Sequence, residues 1–104
     1  MQKTVLIIST LDTKGLETDY LVETLKGLGL NTLLMDISMR GAAPSPADIP
    51  PDRVAAAGGS SFEEIRNSRN RSQITNITMA GASRIAADLL SENNLDGVIG
   101  IGGP

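Results

Sequence analysis

The sequence predicts an α/β fold with three parallel strands and flanking helices. Three observations point there. Residues 4–10, 31–37 and 97–101 are short apolar runs rich in Val, Ile and Leu. They do not alternate with polar residues, as is typical of strands buried on both faces. Between the first two runs the apolar spacing changes to a helical period. Strand, helix and strand within about 35 residues form a βαβ unit, whose crossover makes a parallel sheet.

The elements follow in order. The first strand covers residues 4–10, and Asp12, Thr13, Lys14 and Gly15 interrupt its pattern. From Leu16 a helix is expected. Leu16, Tyr20, Leu21, Leu25 and Leu28 form its apolar stripe, and Glu17, Asp19, Glu23 and Lys26 lie off it. Gly27 and Gly29 end it. The second strand runs to Ile37. Residues 38–60 read as an irregular excursion, because Pro44, Pro46, Pro50 and Pro51 remove backbone donors and bar helix interiors. A short helix over 52–57 is compatible with Pro51 in its first turn, and 60–69 hold a further helical turn. A long helix is predicted over 71–92, with Ile74, Ile77, Thr78, Gly81, Ile85 and Leu89 as its stripe. Gly81 in its middle suggests a close helix–sheet approach, since glycine otherwise disfavours a helix by about 1 kcal/mol against alanine. Asn93 and Asn94 suit a left-handed cap. The third strand follows, then Gly102, Gly103 and Pro104. A three-stranded parallel sheet leaves edges and faces to cover. Residues 1–104 are therefore expected to be one part of a larger α/β fold, or to form a homo-oligomer.

Composition narrows the function. The chain has 104 residues, no cysteine and no histidine. Cys- or His-ligated zinc, a thiol nucleophile, disulfides and a histidine base are thereby excluded within it. Its net charge is −3, and Tyr20 and Phe62 are its only aromatic residues. Neither a dedicated nucleic-acid surface nor a base-stacking platform is expected. No apolar run approaches the roughly 18 residues of a membrane span. Without a leader pattern or cysteine, a cytoplasmic protein is the expectation.

Ligands of open α/β sheets sit outside the carboxyl ends of the strands. Three segments leave such ends: residues 9–15, 36–41 and 100–104. The first joins strand to helix. A helix N-terminus favours anions, Lys14 adds a charge, and Thr10 and Thr13 add hydroxyls. Asp12 suits either a helix cap or a magnesium ligand. The spacing differs from the GxxxxGK[ST] phosphate loop. Asp36 ends the second strand, where a carboxylate meets a ribose hydroxyl in dinucleotide sites, though the GxGxxG turn is missing. Gly102 and Gly103 form either an ordinary turn or a close approach to phosphate. Arg66, Arg69 and Arg71 read as a solvated helix start, with anion contact as the alternative.

The run Thr10, Leu11, Asp12, Thr13, Lys14, Gly15, followed by Glu17, resembles the opening of the Tm-one-like ATP-binding domain family, which includes a plant tobamovirus-resistance protein. Asp36, residues 46–49, Arg71, residues 79–82 and residues 95–103 extend the likeness. The resemblance implies that residues 1–104 are the N-terminal part of a Rossmann-like nucleotide-binding domain that binds ATP; the magnesium expected at Asp12 then accompanies the nucleotide. Thr10, Asp12, Thr13, Lys14, Gly102 and Gly103 are its transferable positions. Pro104 stands where that family has a small residue before further glycine and threonine. A phosphotransferase fragment and a macromolecular interaction module are the rival readings. No aspartate follows Gly103, which counts against the first.

Overall fold

The computed structural model describes residues 3–39 and 46–101. Seven elements follow one another: β1 (Thr4–Ser9), α1 (Leu11–Gly27), β2 (Asn31–Asp36), α2 (Pro51–Ala57), α3 (Phe62–Asn67), α4 (Arg71–Ser91) and β3 (Gly97–Ile101). The sheet is parallel with order β2-β1-β3. Ile7 lies opposite Leu34 on one side and Ile99 on the other, which sets the register. This is the α/β, Rossmann-like arrangement expected from the apolar runs.

Alternation along β1 separates two faces. Leu6 packs with Met35, Ile49, Val54, Ala82 and Leu95, so α2 and α4 cover that face. Ser9 points the other way and bonds Thr18 of α1. Two crossovers leaving β1's sheet in opposite directions, each right-handed, place their helices on opposite faces.

The strand positions and α4 match their sequence patterns, but β3 is not buried on both faces as its apolar run suggested: Val98 and Gly100 are exposed. Thr78, Gly81 and Ala82 are buried in α4, and Ile74, Ile77, Ile85 and Leu89 are half-buried beside them. Asn93 has a φ of 59°, the left-handed cap foreseen from sequence. Gly81, however, approaches a helix and not the sheet. A Cβ there would overlap the Val54 carbonyl oxygen of α2, and one on Gly58 would overlap the Ile77 carbonyl of α4.

Two expectations need correction. Helix α1 starts at Leu11, not Leu16, and its core-facing side is Leu11, Lys14, Thr18, Leu21, Val22 and Leu25. Only Leu25 of the expected stripe is buried. Leu16 and Tyr20 are 83% and 77% exposed, because α1 carries a second apolar face turned outward. The excursion over 38–60 is also more ordered than its prolines suggest; Gly41 and Pro44 lie outside the described residues. Ile49 forms a parallel bridge with Met35, with Asp36 N–H donating to its carbonyl at 2.9 Å and its own N–H to Leu34 at 3.0 Å. The Asp48 carboxylate accepts from Leu34 N–H at 2.8 Å. Helix α2 then begins at Pro51, where a missing N–H is harmless.

Candidate functional site

A single residue, Thr10, separates β1 from α1, so the helix N-terminus sits at the carboxyl end of the central strand. The chain goes to β2 on one side of β1 and later to β3 on the other. The reversal of strand order therefore falls between β1 and β3, where open α/β sheets hold their ligands.

The first turn of α1 is built from three segments. Thr13 and Lys14 N–H donate to the Thr10 carbonyl at 3.1 and 2.8 Å. Leu11 N–H donates to Asp36 Oδ1 at 3.2 Å, and Asp12 N–H to Ser38 Oγ at 3.1 Å. Asp36 Oδ1 also accepts from Ser38 N–H at 2.9 Å and from the Ser38 hydroxyl. Buried Asp36 and Ser38 thus satisfy amides that a helix start otherwise leaves open. The carboxylate stands at the positive end of the helix dipole.

The turn is bent at its end. Lys14 has non-helical angles, φ −121° and ψ 26°. Its carbonyl accepts from the Thr18 hydroxyl at 2.7 Å, a back-bond of the kind that bends helices. Thr18 has one hydroxyl proton and gives it to Lys14, so the Ser9 hydroxyl donates to Thr18 Oγ1, 2.7 Å away. Ser9 and Thr18 are both fully buried.

Thr10, Asp12, Thr13, Lys14 and Asp36 all stand at this end of the sheet. The Thr10 and Thr13 hydroxyls are 3.0 Å apart and open to solvent. Lys14 Nζ lies 3.9 Å from Glu17 Oε2. Thr10 occupies the N-cap position but makes no side-chain cap, and neither Asp12 nor Thr13 supplies one. Asp12 is exposed, and its carboxylate has no partner among the described residues. No cluster of three or more Asp, Glu, His or Cys that could hold a metal ion occurs among them. Gly102 and Gly103 lie outside the described residues. Sequence reasoning marked the segments 9–15 and 36–41 without singling out Ser9 or Ser38, and it missed Thr18. Ser38 had a signal: Asp-x-Ser after a strand favours a turn in which the aspartate accepts the N–H two residues on.

Parallel strands in the order β2-β1-β3, with helices on both faces and a strand-to-helix turn at the switch, define a Rossmann-like α/β domain. The chain belongs to the uncharacterised protein family UPF0261, and residues 3–104 match that family's N-terminal domain. It is 33% identical over 103 residues to a UPF0261 protein of Clostridium tetani, covering 99% of this chain and 26% of that protein. UPF0261 proteins of Brucella suis and Brucella melitensis are 26% and 25% identical over 99 residues, covering 95% of this chain and 24% of each of theirs. The chain thus spans about a quarter of the length of these relatives. No solved structure matches it significantly. The match to UPF0261 overturns the resemblance to the Tm-one-like ATP-binding family, to which none of these relatives points. Strand-end threonines, a lysine at a helix start and paired glycines answer the needs of any such sheet, so they carry less family information than the whole-length match. No helix among the described residues is long and apolar enough to cross a membrane.

Proposed function

We propose that the carboxyl edge of β1 and β3 binds a nucleotide, ATP, through its phosphates. The supporting observation is the strand order β2-β1-β3, which sets the strand-to-helix turn of residues 9–14 beside the switch point. The Leu11 and Asp12 amides are already bonded to Asp36 and Ser38. Phosphate contacts in this reading come from the Thr10 and Thr13 hydroxyls and from Lys14, with Asp36 orienting the turn. Asp12 is the carboxylate placed to hold a magnesium ion, which would offset phosphate charge. Isothermal titration of the chain with ATP, with and without magnesium, tests this. Saturable binding that Asp12→Asn weakens only in the presence of magnesium is expected. Absence of binding at millimolar ATP under both conditions sinks the proposal.

A second reading rests on a different observation. The outward apolar face of α1, with Leu16 and Tyr20, suits an interaction module that pairs with another copy of the chain. Sedimentation separates the two: self-association without nucleotide binding favours the module.

A further inference from the structure

We propose that a groove between α3 and α4 binds a small molecule carrying an apolar body and a carboxylate or phosphate, at a site separate from the first turn of α1. The groove encloses about 610 Å³. Buried Ile65 and half-buried Ile74 and Met39 supply its apolar lining. Arg66, Arg71, Ser68 and Thr75 also line it.

The charges make this more than an open cleft. Neither guanidinium has a carboxylate or hydrogen-bond partner among the described residues, although the chain carries a net charge of −3. The nearby Glu64 carboxylate bonds the Ser60 hydroxyl at 2.7 Å and lines a different crevice with Gly59 and Ser60. Helix α4 is 21 residues long and has no acidic residue in its first turn. Its first residue is Arg71, a cation at the positive end of the dipole, where a helix ordinarily places Asp or Glu. Asn70 caps this terminus, its Oδ1 accepting from Gln73 N–H at 3.0 Å, so an amide is satisfied there while the Arg71 charge is not. An anion between Arg66 and Arg71 meets their unpaired charges, and the isoleucines take its apolar part. Ser68 Oγ accepts from Asn70 N–H at 3.2 Å, which leaves its proton free to donate. Thr75 has no side-chain partner among the described residues.

Phenyl phosphate and benzoate are the probes, with benzyl alcohol as the neutral control. Nitrogen-15 chemical shifts of the chain, including arginine Nε–H signals, report where each binds. Expected are saturable shifts at Arg66, Ser68, Arg71 and Thr75 with at least one anion, and the tighter of the two identifies the anionic group. The double variant Arg66→Gln, Arg71→Gln should lose about tenfold or more in affinity, as for a charge-assisted bond. Arg84→Gln, on the exposed side of α4, should lose none. Circular dichroism confirms folding of each variant. Equal binding of benzyl alcohol, an equal loss in Arg84→Gln, or no localised shift at millimolar concentrations of both anions overturns the proposal.

Discussion

Gly81 of α4 lies so close to Val54 of α2 that a Cβ on the glycine would overlap the Val54 carbonyl oxygen. Gly58 and Ile77 repeat the relationship a turn away. Backbone on backbone cannot yield as a flexible side chain does. Gly81→Ala should therefore lower stability by about 1–3 kcal/mol despite its better helix propensity. Gly15→Ala, in α1 with open space around it, should instead raise stability by about 0.4–1 kcal/mol. Urea denaturation of both variants checks this, and equal signs would show that the α2–α4 contact adjusts freely.

Asp36 joins the end of β2 to the start of α1 through Leu11 and Ser38. Asp36→Ala leaves those buried donors without an acceptor, at a cost of about 1–3 kcal/mol. Asp36→Asn keeps one oxygen and should cost less. Hydrogen exchange at the Leu11 amide should accelerate in the alanine variant before the strands are affected. An unchanged Leu11 rate would assign that amide another acceptor.

Lys14 is the only cationic side chain in the turn that leaves β1. If phosphates bind there, Lys14→Ala should weaken ATP about tenfold to a hundredfold, the worth of one charge-assisted hydrogen bond. Lys14→Arg should restore affinity only in part, since a planar guanidinium does not replace a compact ammonium. Titration calorimetry reads both. Unchanged affinity in a folded Lys14→Ala protein would return Lys14 to a surface role.

The outward face of α1 gives a prediction about assembly. Leu16→Ser with Tyr20→Ser removes exposed apolar surface and no core contact. Sedimentation at micromolar concentration should show self-association of the parent chain and its loss in the double variant, with the same circular dichroism. A monomeric parent chain would remove the oligomer reading.

Ile49 anchors what its neighbouring prolines suggested was loose. Its amide is bonded to β2 and its side chain is buried with Leu6 and Met35. Its exchange protection should approach that of β1, and Ile49→Ala should cost about 2–5 kcal/mol. Rapid exchange at this amide would show that the bridge opens independently of the sheet.

These residues also mark what was legible in the sequence. The positions of the strands were, as short continuous apolar runs, and α4 was, through its 3.6-residue period; neither signal needs knowledge of the rest of the chain. The start of α1 was not. Its first turn depends on Asp36 and Ser38, which lie across the sheet edge and more than twenty residues downstream. The α1 stripe misled because two apolar faces share one helix, and only packing decides which is covered. Ile49 was hidden because one apolar residue among prolines has no period. The candidate site was legible as a place, the carboxyl end of β1, and as residue types. Of the partners that orient the turn, Ser9 and Thr18 were visible only in three dimensions, while Ser38 was signalled by the Asp-x-Ser pattern.

The Asp48 and Ile49 contacts with β2 have one more consequence. They occupy Leu34 N–H, Leu34 C=O and Asp36 N–H, three of the groups that β2 would offer to a strand on its outer side. That margin is blocked, and the carboxylate there further discourages pairing. On the opposite margin β3 pairs with β1 alone among the described residues. The two margins of the sheet thus differ in lateral reach: beside β2 the chain itself occupies the edge at Leu34 and Asp36, whereas beside β3 no further strand lies among the described residues.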